Sequence, residues 1–173
     1  MELPTVQATV VLLIDKDGRI CLARKKQAIH HDGGDISYSL GLYNGYGGKM
    51  DAADETILDT AVRELFDESG VIAQKEDLEK ILRVYFYISK EGVLIPFMDV
   101  SFFLLAAWEG EPVESKEMGA AVFFTQETIP YNEMMPADRI LFEKIFKKEF
   151  GTYQVELYGK NISPLVKFLG TEV

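Results

Sequence analysis

Gly48-Lys-Met-Asp-Ala-Ala-Asp-Glu55 leads directly to Arg63-Glu64-Leu65-Phe66-Asp67-Glu68-Ser69-Gly70-Val71. Between the two, Leu58, Ala61, Val62 and Leu65 recur at i, i+3, i+4 and i+7, which predicts one amphipathic helix over Glu55 to Ser69. Asp54 is placed to cap its start and Gly70 to end it. Beside the apolar stripe lie Glu64, Asp67 and Glu68, whose spacing stacks three carboxylates on neighbouring parts of one surface.

Crowding of like charges has no structural benefit, since each such pair costs roughly 0.2–0.5 kcal/mol in a helix. A solvated acidic face is one explanation, because acidic surfaces are common. A hard divalent cation is the other. Mg²⁺ prefers oxygen ligands and shares its shell with substrate phosphates, so carboxylates beside a glycine-rich loop suit phosphate chemistry.

The flanking residues favour the second explanation. The stretch resembles the Nudix box: Gly, five residues, Glu, seven residues, then Arg-Glu-apolar-any-Glu-Glu-any-Gly-apolar. Glu55, Arg63, Glu64, Leu65, Glu68, Gly70 and Val71 match in register. Six residues separate Gly48 from Glu55 where the family has five, so either the loop carries an extra residue or Asp54 stands in for the glutamate. Glu55 is preferred, because its distance to Arg63 fits. Asp67 replaces the first acid of the Glu-Glu pair with a side chain one methylene shorter.

Composition sets outer bounds. A chain of 173 residues, 47% hydrophobic and 27% charged, suits one soluble globular domain over 1–173. A net charge of −10 argues against a nucleic-acid polymer as partner, which requires a basic footprint, yet leaves room for a small nucleotide in a local cationic pocket. The single cysteine, Cys21, reads as buried strand filler. The N-terminus MELPTVQATV lacks signal-peptide features and no apolar run approaches membrane-spanning length, so no membrane association and a cytoplasmic location are expected.

Along the chain, Thr9 to Ile14 and Arg19 to Arg24 flank an Asp-Lys-Asp-Gly turn and read as a hairpin whose first strand is central. Lys25 and Lys26 follow at the strand end, where a side chain can reach a phosphate or simply be solvated. Gln27 to Leu42 lacks periodicity and predicts a long mobile loop. It holds His30, His31 and Asp32, but sequence neighbours on a loop rarely converge on one ion. In Asn44-Gly-Tyr-Gly-Gly-Lys49 the glycines permit close backbone approach and Asn44 offers an amide. Leu82 to Ile88, Val93 to Phe97 and Met98 to Trp108 predict strands, with a turn at Lys90-Glu91-Gly92 and a bulge or edge at Pro96. Ala120 to Phe124 is a further strand. Pro136 starts a helix reaching about Phe150, with Leu141, Phe142, Ile145 and Phe146 inward. Tyr153 to Tyr158 reads as a last strand, and the tail from Ile162 as a short amphipathic segment of open type. A mixed sheet with one helix on each face is the natural assembly, in agreement with the α/β/α sandwich that the Nudix resemblance implies.

Beyond the box, the chain is similar to the MutT-type members of that family, which hydrolyse oxidised purine nucleoside triphosphates. The similarity is carried by Thr9, Lys25, Lys26, Asn44 to Lys49, Met98-Asp-Val100, Pro112 to Met118 and Ile129 to Asp138. It implies a base pocket with Asn44 and Asp138, walled by Thr9, Phe86, Met98 and Met135, and Lys25 facing the phosphates. The Gly48 carbonyl, Glu64, Asp67, Glu68 and Glu117 are the implied ligands of Mg²⁺, or of Mn²⁺ in its place. Arg63 is implied to hold an acid of the box. The implied reaction converts a nucleotide such as 8-oxo-dGTP to monophosphate and pyrophosphate, with Glu64 or Glu68 as general base. The animal enzymes of this type carry tryptophan where Met135 stands and a second aspartate where Ala137 stands, which leaves Asp138 as the one acid. Two other readings are a Nudix hydrolase acting on ADP-ribose, a nucleotide sugar or a dinucleotide, and a non-catalytic nucleotide sensor. The retained acids at 64, 67 and 68 speak against the sensor.

Overall fold

In the computed structural model of the chain, residues 2–27, 29–31, 34–36, 39–159 and 162–173 are described, with the backbone alone at 29–31 and 34–36. The strands follow the aliphatic and aromatic runs: β1 (Gln7–Leu13), β2 (Ile20–Arg24), β3 (Ile29–His31), β4 (Gly34–Ile36) and β5 (Tyr43–Asn44) precede helix α1 (Ile57–Ser69). The long pair β6 (Leu78–Lys90) and β7 (Val93–Leu105) comes next, then β8 (Val122–Phe124), helix α2 (Pro136–Phe146), β9 (Gly151–Leu157) and β10 (Leu165–Gly170).

Five strands form one mixed sheet in the order β1-β7-β6-β9-β10. β1 runs parallel to β7, β6 antiparallel to β7 and parallel to β9, and β10 antiparallel to β9. Because side chains alternate along a strand, β7 sends Val100 and Phe102 to one face and Phe103 and Leu105 to the other. The first face packs against Leu141, Phe142 and Ile145 of α2. The second packs against Ala61 and Leu65 of α1. The α/β/α layering expected from the sequence is therefore the architecture of the molecule. Pro96 sits where expected, beside a register shift opposite Phe86 and Tyr87.

Four expectations are corrected. β1 is an edge strand of the five-stranded sheet, not a central one, and β2 lies in a separate three-stranded sheet, β5-β2-β8. The continuous apolar run of β1 reflects burial from both sides, with the Tyr46 to Lys49 loop bridging its outer edge. The presumed loop from Gln27 to Leu42 contains the antiparallel pair β3-β4; Asp32, and the side chains of His30 and His31, lie outside the described residues. The open tail resolves into β10, an added edge strand.

The fourth correction concerns the start of α1. Thr56, not Asp54, is the N-cap: its hydroxyl accepts from the Asp59 N–H at 3.3 Å, and the Asp59 carboxylate accepts from the Thr56 N–H at 2.9 Å. This reciprocal pairing satisfies two otherwise orphaned donors. Gly70 closes the helix in the left-handed conformation, as expected. Replacing Thr56 by alanine is expected to lower unfolding free energy by about 1 kcal/mol, measured by urea titration. Glu55→Ala, at an exposed position before the cap, should leave the midpoint unchanged.

Candidate active site: an acidic helix face and an adjoining cavity

The loop Gly45 to Lys49 docks against β1 by backbone hydrogen bonds. Val11 and Tyr46 exchange two, at 2.6 and 3.0 Å, and the Thr9 N–H donates to the Gly48 carbonyl at 2.9 Å. Approach this close excludes side chains. A Cβ on Gly47, whose φ is +153°, would stand 2.1 Å from the Thr9 carbonyl oxygen, and one on Gly48 would stand 2.6 Å from the Glu64 carboxylate. The glycines therefore bring the loop backbone to β1 on one side and to the acids of α1 on the other.

Glu68 is 2% exposed. Its carboxylate accepts from the Gly47 N–H at 2.7 Å and from the Lys25 ammonium at 3.3 Å. Burial pushes its pKa up, the Lys25 charge and the Gly47 N–H oppose that, and the nearby Glu64 charge adds to it. Arg63 donates to Glu64 at 2.6 Å and makes a two-point contact with Asp54, through Nε at 3.0 Å and Nη2 at 2.7 Å. Asp54 thus occupies the place given to Glu55: the acid that Arg63 holds is the one separated from Gly48 by five residues, and the extra residue lies between Asp54 and the arginine. The paired guanidinium holds the Asp54 carboxyl well below the usual carboxylate range. Drawn to Arg63 and to the Thr60 hydroxyl at 2.9 Å, Asp54 does not cap the helix.

Of the acids named from the sequence, Glu64 and Glu68 converge beside Gly48, whereas Asp67 and Glu117 are exposed. Among the described residues no three His, Cys, Asp or Glu side chains are gathered closely enough to cage a metal unaided. The donor set nonetheless suits a hard cation. Two carboxylates face a backbone cradle too narrow for a Cβ, and Lys25 already places a positive charge on Glu68. A cation completing its shell with water or phosphate oxygens needs only a few protein ligands.

A cavity of about 380 Å³ adjoins this cluster through Lys25, Gly47 and Gly48. Thr9, Asn44, Phe86, Met98, Met135 and Asp138 all line it, so six residues from five separate segments meet at one cavity. Phe86 and Met98 are cross-strand partners on β6 and β7. Met135 and Asp138 come from the start of α2, where Pro136 takes the first helical position. Burial pushes the Asp138 carboxyl up to about 7, with the Lys25 charge pulling the other way. The cavity is mostly apolar with a few polar groups, the usual composition of a small-molecule site.

Sequence reasoning missed part of this wall. Arg139, Leu157, Gly159, Ile162 and Pro164 also line the cavity. The last four belong to the chain after α2, whose approach to the start of that helix follows from the β9-β10 pairing and has no local signal. Asp54 had one, the five-residue spacing from Gly48, outweighed by the spacing to Arg63. Cys21 is buried at 3.8 Å from the Tyr46 hydroxyl, and burial pushes its thiol up to about 11, so it is structural filler as expected.

The profile of the NUDIX domain matches residues 4–145. The oxidised purine nucleoside triphosphate hydrolase of Danio rerio is 33% identical over 145 residues, covering 84% of this chain and 83% of its own. The enzyme of that name from Mus musculus is 34% identical over 142 residues, covering 82% and 80%. Among solved structures, a MutT protein from Bacillus halodurans superposes with a TM-score of 0.72 at 20% identity, over 94% of this chain and 97% of its own. A box helix, a glycine loop against it and a cavity beside both, matched over most of the chain by named hydrolases, place this protein in the NUDIX family as a Nudix hydrolase.

Proposed function

We propose that this hydrolase is a Mg²⁺-dependent nucleoside triphosphate pyrophosphohydrolase acting on oxidised purine nucleotides such as 8-oxo-dGTP. The observation that carries the proposal is the continuity of two unlike regions. An acidic, cation-compatible cluster opens through Lys25 and Gly48 into an apolar cavity with a buried acid and an amide. A triphosphate tail and a purine are joined in the same way. The two curated relatives, named for this activity, support the reading.

Nudix hydrolases generally use divalent metal ions, and here Glu64, Glu68 and the Gly48 carbonyl are the groups that would hold one, whereas Asp67 and Glu117 are exposed. An ion held by these groups would supply screening of phosphate charge and a more nucleophilic water. Lys25 leaves Glu68 to pair with phosphate oxygens, which frees a Glu68 oxygen to take a proton from the attacking water. The water oxygen bonds to the β-phosphorus, the bond from that phosphorus to the bridging oxygen breaks, and the monophosphate departs with that oxygen, leaving pyrophosphate. Arg63 acts at one remove, fixing Glu64 between itself and the Gly48 cradle while Asp54 anchors the guanidinium. At the far end Asn44 and Asp138 meet the base edge and Phe86, Met98 and Met135 cover its faces. Near pH 7 Asp138 is divided between its acid and carboxylate forms, so it can donate or accept.

Glu68→Gln is expected to reduce turnover of 8-oxo-dGTP with Mg²⁺ by at least about a hundredfold, the scale of a lost general base, while thermal melting shows a folded protein; near-normal turnover would remove the assigned role. Asp138→Asn should change the ratio of kcat/KM for 8-oxo-dGTP over dGTP, and an unaltered ratio would separate this residue from base recognition. The same variant tests linkage. In the folded chain Asp138 keeps its proton up to about 7, against a usual value of 3.8, so the folded state binds the extra proton between those limits. Stability from this group is present below about pH 4 and lost as pH rises through 7. Asp138→Asn should therefore melt near wild type at or below about pH 4 and increasingly above it as pH rises to 8, read by calorimetry.

A further inference from the structure

Among the described residues two buried side-chain polar atoms have no hydrogen-bond partner, Thr9 Oγ1 and Arg139 Nε. They come from opposite ends of the chain, yet both residues line the one cavity. Thr9 already belongs to the proposed site. Arg139 has no assigned role. It sits in the first turn of α2 and makes one long contact, Nη2 to the Asn132 carbonyl at 3.4 Å. A guanidinium has five donors, no acceptor and a permanent charge, so leaving it under-used at a cavity wall costs free energy that a ligand can return.

The other polar groups fix what that ligand offers. The Asn44 carbonyl oxygen already accepts from the Gly45 N–H at 2.8 Å, which leaves the side chain two amide N–H donors against one lone pair. Lys25 also donates. Arg139 and Asn44 together give the base end of the cavity a surplus of donors, with Asp138 to accept. A purine with a carbonyl at C6 presents an acceptor to the donors and ring N–H groups to the carboxylate. A purine with an amino group at C6 sets donor against donor. Resting on the proposed function, we infer that Arg139 is a base-specificity residue that donates to the C6 carbonyl and selects 6-oxopurine over 6-aminopurine nucleotides. Its position one residue past Asp138, on a rigid first helical turn, keeps the guanidinium and the carboxyl at a set spacing along the cavity wall.

The test compares wild type, Arg139→Met and Arg139→Lys in two assays. The first is equilibrium binding of dGMP, dIMP and dAMP by calorimetry without metal, and the second is turnover of the matching triphosphates with Mg²⁺. Wild type should bind the two 6-oxo monophosphates more tightly than dAMP. Arg139→Met should weaken their binding about tenfold to a hundredfold, the range for losing a hydrogen bond from a charged donor, and raise KM more than it lowers kcat. Binding of dAMP should change by less than about twofold, and Arg139→Lys should recover only part of the loss because it keeps the charge without the fork. Arg139 is half-buried, and thermal melting verifies folding; if the methionine variant is unstable, the lysine variant carries the comparison. Equal losses for all three bases, no loss, or a wild type that binds none of them or does not prefer the 6-oxo pair overturns the inference. Base-selective, Arg139-dependent binding without triphosphate turnover would retain it and remove the hydrolytic reading. Turnover indifferent to Arg139 would do the reverse.

Discussion

Glu68 is the constraint from which the site can be rebuilt. A carboxylate 2% exposed is tolerable only with partners, because removing an ion from water costs far more than one hydrogen bond returns. Its partners are a backbone N–H and a lysine from two other parts of the chain. The N–H exists at that spot because Gly47 adopts a conformation that ordinary residues avoid, pressed against the Thr9 carbonyl. The lysine is there because β2 ends at Arg24 and the next residue pairs with Met118. Helix, glycine loop and strand end are thus tied by one buried charge.

The two faces of the sheet divide the labour. On one, α1 presents its acids beside the loop that closes the edge of β1. On the other, the start of α2 and the segment after β9 enclose the cavity against β6 and β7. An unpaired sheet edge invites association; here the Tyr46 to Lys49 loop bridges β1 and carries the cradle with it. The protection of an edge and the construction of the site are one piece of backbone.

Legibility followed the range of the interactions. The stripe Leu58, Ala61, Val62 and Leu65 identified α1, because helix periodicity is local, and the carboxylates beside it were readable for the same reason. Pro136 marked the start of α2 and Pro96 the irregularity in β7. The identity of the N-cap was not legible, since Asp54 and Thr56 are both good caps and only the position of Arg63 in space decides between them. The central place assigned to β1 failed because burial on both sides looks the same in sequence whether a strand or a loop lies alongside. Seven of the cavity's lining residues were named through family resemblance, whereas Arg139, Leu157, Gly159, Ile162 and Pro164 were not, the last four because their place depends on how β10 folds back. Long-range packing leaves no periodic trace.

The far end of the cavity is assembled from pieces that share no element with the acidic helix, and it adjoins that helix by way of Lys25, Gly47, Gly48 and Lys49. Mutational drift can accordingly reshape the wall at Leu157, Gly159, Ile162 and Pro164, or the residues that open α2, without disturbing the buried glutamate or its partners. Such a molecule is a fixed cutting head with an exchangeable jaw, and descent can alter what it grips while sparing how it cuts.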